Sequence, residues 1–352
     1  MKKYFALIGL LFILAVLLSG CATGLAASSW PGVTADAKNA YVAGGAYVYA
    51  VDLQNGTQVW RFPDKASTAN PFFATPALTS DGQLIVGGFD KKLYSLNVQT
   101  GTSNREFDGA HDRWIGGPLV ADNTIYAPNA DYNLYALDLQ GNLKWSFRAD
   151  QAIWGMPVSD GANVYFGTLG RRVYAVNAQS GQEVWSQGVD GAVLGSPALG
   201  SDGTLYVGTY GGTVYALDSA SGTTLWTAAA SSWIWTGPVL EDGEVYFGDE
   251  KGMFYAHPLT DAGASWQQQL NGAIVGSPLV TGDTIFVGTE AGNVYAMDST
   301  GQNLRPISIS GKVYATPVAA GDLILVAPTG QDAVLVALDQ TGAIKWSFIP
   351  PK

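Results

Sequence analysis

The stretch TVYALDSASGTTLW, residues 213–226, has two close copies elsewhere in the chain: YVYAVDLQNGTQVW, which ends at Trp60, and RVYAVNAQSGQEVW, which ends at Trp185. Its third residue recurs every 39–45 residues, as Tyr49, Tyr94, Tyr135, Tyr174, Tyr215, Tyr255, Tyr295 and finally Val336. A proline recurs upstream of each copy, at Pro31, Pro76, Pro118, Pro157, Pro197, Pro238, Pro278 and Pro317. Because the tyrosine position and the upstream proline recur together eight times, they indicate eight structural copies.

One copy contains four short β-rich segments separated by turn residues. In residues 193–226 these segments are VLGSPALG, TLYVGT, TVYALD and TTLW, and Asp202-Gly203 lies at the first turn. The Asp-Gly step favours a tight hairpin, and it recurs at Asp81-Gly82, Asp160-Gly161 and Asp242-Gly243. A repeat of about 40 residues with four antiparallel strands is typical of a propeller blade. The sequence therefore predicts an all-β fold, an eight-bladed β-propeller of four-stranded antiparallel blades, over residues 30–352.

The conserved letters within the repeat have simple physical roles. An aspartate in the turn between the third and fourth strands accepts backbone N–H bonds, and the glycine after it supplies a positive φ. A tryptophan on the outer strand buries a large area against the next blade, and the alanine opposite leaves room for it. The predicted docking residues are Trp60, Trp145, Trp185, Trp226, Trp266 and Trp346. Arg105 and Arg305 stand in the tryptophan position of copies two and seven.

This pattern resembles the tryptophan-docking motif of quinoprotein (PQQ) repeats, approximately A-x-D-x-x-T-G-x-x-x-W. Ala50, Asp52, Gly56 and Trp60 match it, and the copies ending at Trp145, Trp185, Trp226 and Trp346 keep most of its positions. The resemblance covers nearly the whole chain after the first 29 residues. Asn97 and Asn177 replace the aspartate in two copies. Since an amide makes the same turn bond but is no general base, the aspartate series is interpreted as structural.

The N-terminus has the pattern of an export signal. Lys2 and Lys3 precede an apolar run over residues 4–18, which is short for a membrane span. The run leads into Leu-Ser-Gly-Cys at residues 18–21, which resembles a bacterial lipobox. That resemblance implies a signal peptide over residues 1–20, lipidation of Cys21 and a tether over residues 21–29. The alternative is an ordinary cleaved signal with an incidental cysteine.

Composition limits the possible functions. The formal net charge is −11, and it becomes more negative without Lys2 and Lys3, so nucleic acid is not an expected partner. Cys21 is the single cysteine, which excludes an internal disulfide and any cysteine-based metal or redox site. The two histidines, His111 and His257, do not have metal-ligand spacing. We therefore predict no metal, no cofactor and no catalytic residues.

The quinoprotein resemblance admits one catalytic relative, the PQQ-dependent dehydrogenases. That family uses a vicinal cysteine pair and a calcium site, and this chain has one cysteine and compact repeats. A lipobox, a short tether and a bare propeller resemble the BamB family of outer-membrane assembly lipoproteins instead. The resemblance implies a non-catalytic, membrane-anchored scaffold that faces the periplasm or the cell surface and binds envelope proteins or extended polypeptides. The alternative is a surface or periplasmic lipoprotein that binds or senses a ligand.

The residues before each recurrent proline are candidates for a partner-binding mouth at one end of the central channel. They read FFATP, WIGGP, IWGMP, VLGSP, IWTGP, IVGSP and VYATP, with two leading apolar positions followed by small residues. Aromatic residues with nearby arginine are typical of binding surfaces, although core packing explains the same apolar pattern. The predicted mouth consists of Phe72, Phe73, Trp114, Trp154, Arg171, Arg172, Trp233, Trp235 and Tyr314. Trp30, beside Pro31, is expected to be partly exposed.

Overall fold

The computed structural model describes residues 30–67, 69–260 and 265–351. Within these ranges the chain forms eight four-stranded antiparallel sheets, and no described residue is helical. The strands of every sheet follow one another in chain order from the inner to the outer edge. The predicted eight-bladed β-propeller is therefore confirmed.

The first four blades are continuous segments of the chain. Their strands are β1 (Gly32–Ala35), β2 (Asn39–Gly44), β3 (Tyr47–Asp52) and β4 (Gln58–Phe62) in blade 1; β5 (Ala77–Leu78), β6 (Gln83–Gly87), β7 (Leu93–Asn97) and β8 (Ser103–Phe107) in blade 2; β9 (Leu119–Ala121), β10 (Thr124–Pro128), β11 (Asn133–Asp138) and β12 (Leu143–Arg148) in blade 3; and β13 (Val158–Ser159), β14 (Asn163–Gly167), β15 (Arg172–Asn177) and β16 (Glu183–Gly188) in blade 4.

The last four blades repeat this arrangement, with one small extra pair. Their strands are β17 (Ala198–Leu199), β18 (Thr204–Gly208), β19 (Thr213–Asp218) and β20 (Thr224–Ala229) in blade 5; β21 (Val239–Glu241), β22 (Glu244–Gly248), β23 (Met253–Pro258) and β24 (Trp266–Gln269) in blade 6; β25 (Leu279–Thr281), β26 (Thr284–Gly288), β27 (Asn293–Asp298) and β28 (Arg305–Ser308) in blade 7; and β30 (Val318–Ala320), β31 (Leu323–Val326), β33 (Leu335–Asp339) and β34 (Ile344–Phe348) in blade 8. The extra pair is β29 (Lys312–Val313) with β32 (Pro328–Thr329).

The core lies between neighbouring blades. The two middle strands of each blade are buried on both faces, as in β3, where Val48, Tyr49, Ala50 and Val51 are all at most 5% exposed. Side chains on alternate faces of one strand pack against different neighbours: Val51 contacts the blade 8 side, whereas Ala50 belongs to the cluster shared with blade 2. Because every sheet is covered on both faces, its middle strands carry apolar residues at successive positions and do not alternate between apolar and polar residues.

The docking tryptophans lie between neighbouring blades, and Trp266 packs on Gly301 of blade 7. Trp60 pairs with Ala50 across β3 and β4, and its Nε1 donates to the Val98 carbonyl of blade 2 at 2.8 Å. Its ring lies over Gly101, where an added Cβ would come within 2.6 Å of the indole and where φ is +71°. Equivalent indole N–H bonds to the next blade are made by Trp145, Trp185, Trp226 and Trp346.

The turn residues also behave as the motif predicts. The Asp52 carboxylate accepts the backbone N–H groups of Gln54 and Asn55, and the Asn97 amide oxygen accepts those of Gln99 and Thr100. The asparagine therefore performs the same turn function as the aspartate. The negative charge is therefore not needed for these turn bonds.

The two arginine joints replace the indole bond with a guanidinium bond. Arg105 donates to the Leu139 carbonyl at 3.0 Å, and Arg305 donates to the Thr341 carbonyl at 2.6 Å. The arginine does not fill the space of the indole, because nothing lies within 4 Å of a Cβ built at Gly141. The connection between blades 2 and 3 thus keeps its polar bond and loses its aromatic stacking.

The ring closes by the same joint as the others, without strand exchange between the chain ends. Trp346 of blade 8 donates to the Leu53 carbonyl of blade 1 at 3.0 Å, and its ring covers Gly56. Phe348 and Leu335 of blade 8 pack with Val33 and Val42 of blade 1 in one buried cluster.

One predicted marker is displaced. In blade 2, Ala77 directly follows Pro76 and pairs with Ile85, which pairs with Ser95 on the next strand. In blade 1 the counterpart of Ser95 is Ala50, which pairs with Tyr41, and Tyr41 pairs with Thr34. Pro31 therefore lies two residues too early to be the counterpart of Pro76, and the prediction that it marks the same position was wrong. Counting back by this register places Trp30 at the position of Phe73.

A tryptophan joint is expected to dominate local stability. Trp60 is 7% exposed and loses both its stacking surface and its hydrogen bond in Trp60→Ala. We expect the free energy of unfolding to fall by about 3–5 kcal/mol, measured by equilibrium chemical denaturation. The control is Trp233→Ala, because Trp233 is 46% exposed and its loss is expected to cost about 1 kcal/mol or less. Equal losses for the two variants would contradict the docking role.

Candidate functional site: the channel mouth

The structure describes the mouth and not the N-terminal segment. The predicted signal peptide, Cys21 and the tether all lie within residues 1–29, outside the described residues. The described residues contain no helix that is long and apolar enough to cross a membrane.

Each recurrent proline from Pro76 to Pro317 ends a five-residue segment whose first two residues are apolar. The side chains of these two residues point in opposite directions. The first member of each pair is buried between blades; these residues are Phe72, Trp114, Ile153, Val193, Ile234, Ile274 and Val313. The second member is only partly buried and lines the central cavity; these residues are Phe73, Ile115, Trp154, Leu194, Trp235, Val275 and Tyr314. Successive residues of an extended segment point to opposite sides, which explains the division.

Two predicted mouth residues therefore need correction. Phe72 and Trp114 are each 1% exposed, and they pack in the clusters between blades 1 and 2 and between blades 2 and 3. They hold blades together and present no surface to a partner. Phe73, Trp154, Trp235 and Tyr314 are the members of the predicted set that line the cavity.

Trp30 belongs to the mouth and was missed by the sequence analysis. Its ring stacks on Tyr314, with 4.3 Å between ring centroids, and lies 5.9 Å from Trp235. It is partly exposed, as expected, but it lines the cavity with the second-position residues. The displaced Pro31 hid this equivalence, which the strand register of blade 1 reveals.

A continuous line of aromatic rings crosses the mouth. Trp233 stacks on Tyr210 at 4.6 Å, and Tyr210 meets the edge of Trp235 at 5.9 Å. Trp235 then contacts Trp30, which stacks on Tyr314. We call these five residues the aromatic line. It runs from an exposed indole on the rim, Trp233, to the wall of the cavity.

The inner end of the aromatic line is fixed by an ion pair. Glu290 accepts hydrogen bonds from Lys312 at 2.7 Å and from the Tyr314 hydroxyl at 2.9 Å. These two bonds lower the pKa of Glu290, while desolvation raises the pKa of Tyr314. Tyr314 is therefore held neutral, with its ring oriented for stacking, at any physiological pH.

The predicted arginines lie on the same face but outside the cavity wall. Arg171 and Arg172 occupy the turn between the two middle strands of blade 4, and Arg172 lies 4.0 Å from Asp150. Both are exposed. A second aromatic–cation group, formed by Phe73, Phe89 and Arg113, lies on the blade 2 side.

Small residues below the aromatic line allow the inner strands to approach one another. A Cβ at Gly155 would lie 2.5 Å from the Gly195 carbonyl oxygen, and one at Gly195 would lie 2.4 Å from the Gly237 nitrogen. The Met156 N–H donates to the Ser196 hydroxyl at 3.0 Å and so links two blades at the axis. The resulting cavity has a volume of about 420 Å³.

The described residues offer no cluster of histidine, cysteine, aspartate and glutamate that could hold a metal ion. His257 stacks on the docking residue Trp226, with 4.7 Å between ring centroids, and its Nδ1 lies 2.8 Å from the Pro258 carbonyl oxygen. It is a packing residue of the joint between blades 5 and 6. The mouth face presents aromatic surface, hydroxyls and ion pairs, among them Lys312–Glu290 and Arg172–Asp150, a set suited to binding.

Comparison with known families agrees with the repeat pattern. A family model described as "outer membrane protein assembly factor BamB", built on PQQ-type repeats, matches residues 44–153, 151–200, 169–274 and 259–350. These matches extend over nearly all of the propeller. The chain belongs to this family. No curated protein sequence matches it.

Solved structures show the same fold at low identity. The crystal structure of BamB from Moraxella catarrhalis is 17% identical, with a TM-score of 0.71, over 87% of this chain and 92% of that one. The computationally designed protein Ika8 is 16% identical, with a TM-score of 0.74, over 92% of this chain and 98% of that one. Because a designed protein matches as well as a natural BamB, the fold alone carries no function.

Proposed function

We propose that the chain is a non-catalytic, membrane-anchored scaffold outside the cytoplasm that binds envelope proteins through the channel mouth. The observation that carries the proposal is the aromatic line from Trp233 to Tyr314. Membership of the BamB family supports partners in outer-membrane protein assembly. The lipobox-like Leu-Ser-Gly-Cys at residues 18–21 supports the membrane anchor.

The chemistry of the aromatic line fits a protein partner. Tyrosine and tryptophan are enriched at the energetic centres of interfaces, because they supply a large contact area and lose little conformational entropy. Trp233 is 46% exposed although it is among the largest side chains. Ser231, Ser232, Glu250 and Lys251 surround it with polar groups, an arrangement typical of an interface rim.

The loops around the aromatic line are held in place before any partner arrives. Asp190 accepts hydrogen bonds from the Thr209 and Thr213 hydroxyls, both at 2.6 Å. Asp249 accepts from Ser231 at 2.6 Å and from Tyr255 at 3.0 Å. Rigid loops lose less entropy on binding, which favours recognition of a partner by a preformed surface.

A second candidate function is the binding or sensing of a small ligand. The cavity of about 420 Å³ is within the size range of small-molecule sites, and Trp30, Trp154, Trp235 and Tyr314 line it. This alternative uses the wall of the cavity, whereas a protein partner uses the rim at Tyr210 and Trp233. Substitutions on the rim therefore separate the two.

The double variant Tyr210→Ala with Trp233→Ala should weaken capture of envelope proteins at least tenfold, because it removes the outer end of the aromatic line. The measurement is a quantitative pull-down from detergent-solubilised envelopes. The control is Val184→Ala with Leu225→Ala, since these residues are 49% and 55% exposed on outer strands away from the mouth. Arg171→Glu with Arg172→Glu tests the charged part of the same face, and capture should then decrease more at low salt than at high salt. Full recovery with both mouth variants would place binding elsewhere.

The anchor is tested separately. Cys21→Ser removes the single thiol, so lipidation is lost and the protein should move from the membrane fraction to the soluble fraction, or accumulate with residues 1–20 still attached. Detergent partitioning and intact-mass measurement distinguish these results. Normal cleavage with equal membrane retention of wild type and variant would refute the lipoprotein assignment.

A further inference from the structure

We propose that the mouth face of the propeller is turned toward the membrane, and that Trp30 fixes this orientation by holding the chain at the mouth where the tether ends. The inference rests on the proposed anchor at Cys21. The mouth face is the one that carries the aromatic line and the turns between the two middle strands of each blade. The opposite face carries the turns between the first and second strands and between the third and fourth strands.

The first observation is the place where the chain joins the ring. Trp30 lies in the mouth, stacked on Tyr314 of the blade 7–8 connection and close to Trp235 of the blade 5–6 connection. The Pro31 ring packs 3.6 Å from a Cβ built at Gly44, at the mouth-side turn of blade 1. Trp30 therefore lies on the mouth face, held by the rings of Tyr314 and Trp235.

The length of the tether then restricts the orientation. Cys21 lies nine residues before Trp30, so the chain between them spans at most about 32 Å when fully extended, at roughly 3.5 Å per residue. To put the opposite face against the bilayer, the tether must pass from the innermost to the outermost strand, which is about 14 Å for four strands spaced about 4.8 Å apart. It must then run along the height of a blade, about 20 Å for six residues. That path of about 34 Å takes the whole extended length of the tether, whereas an orientation with the mouth face toward the bilayer requires no such extension.

The second observation is the distribution of charge. Each of the eight turns between first and second strands carries an acidic residue on the opposite face: Asp36, Asp81, Asp122, Asp160, Asp202, Asp242, Asp283 and Asp322. Within these eight described turns Lys38 is the single basic residue. Backbone and tyrosine hydroxyl bonds lower the pKa of Asp36 and Asp160 despite desolvation, so these carboxylates are charged at neutral pH.

The mouth face has mixed charge instead. Its turns and connections carry the basic residues Lys65, Lys91, Lys92, Arg113, Arg171, Arg172, Lys251 and Lys312. Carboxylates lie among them, including Asp150, Asp190, Asp249 and Glu290, and several are engaged by hydroxyls or by Lys312. An anionic bilayer repels a face with an acidic residue in all eight of these turns more strongly than the mixed mouth face, although Arg105 and Arg305 also reach turns of the acidic face. The charge distribution and the tether therefore favour the same orientation.

This orientation defines the kind of partner that reaches the aromatic line. A partner at the mouth must approach from the membrane side, within about 32 Å of the lipid surface. Membrane-embedded proteins and the segments that emerge from them meet this condition. The acidic face is left pointing away from the bilayer, toward the bulk solution.

The test uses the single cysteine as a chemical anchor. Every blade is built from residues 32–348, so a chain that begins at Cys21 keeps every strand of the propeller. Cys21 is coupled to a maleimide lipid in phosphatidylcholine–phosphatidylglycerol vesicles that also contain a headgroup-labelled energy acceptor. A donor is attached through p-azidophenylalanine at Gln151 on the mouth face or at Ser201 on the opposite face; both positions are exposed.

We expect energy transfer from position 151 to be at least twice that from position 201. In Trp30→Ala, which removes the contacts of Trp30 with Tyr314 and Trp235, the difference between the two positions should shrink by half or more. Equal transfer from both positions, or stronger transfer from position 201, would overturn the orientation. A difference that is unchanged in Trp30→Ala would overturn the role of Trp30. Because the lipid is attached chemically, neither result depends on natural lipidation or on a partner, which the fractionation and pull-down experiments test.

Discussion

The indole of each docking tryptophan, placed between one blade and the turn of the next, is the contact on which the propeller depends. A four-stranded blade is apolar on both faces and cannot cover them alone. The indole spans the gap, stacks on a glycine that has no Cβ, and donates one hydrogen bond, as Trp60 does to Gly101 and Val98. The alanine opposite and the aspartate or asparagine turn beyond it are needed for this contact to form. The repeated sequence is therefore the sequence of a joint.

Because the joint also connects blade 8 to blade 1, the N-terminal segment is not needed as a closing strand. Trp346 and Leu53 make the same bond as the internal joints. This leaves the residues before β1 available for another role, and Trp30 lies in the mouth among residues of the blade connections. Three features of the ring therefore lie together at the mouth: the channel axis, the exposed aromatic surface and the point where the chain continues toward Cys21. The acidic turns collect on the other face.

The sequence was sufficient to predict the architecture of the fold, but it was not sufficient to predict which residues form the mouth. Periodicity, Asp-Gly turns and the docking motif defined eight blades, because each signal is repeated and errors in one copy are corrected by the others. The mouth depends on the direction of single side chains in irregular connections, where no strand alternation shows which apolar residue faces the axis. Phe72 and Trp114 were therefore placed at the surface although they are buried. Trp30 was missed because Pro31 suggested a false alignment, although counting back from the Tyr41–Ala50 pair gives the correct one.

Family membership and the aromatic line both favour partner binding at the mouth, and binding in intact cells tests this most directly. A photocrosslinking amino acid is introduced at Tyr210 on the mouth face or at Ser201 on the acidic face of the full-length chain, and adducts are identified by mass spectrometry after irradiation. We expect position 210 to give a discrete adduct with an envelope membrane protein, and position 201 to give none of comparable yield. Adducts from position 201 alone, or none from position 210 in cells that produce the protein at its normal level, would contradict a partner-binding mouth.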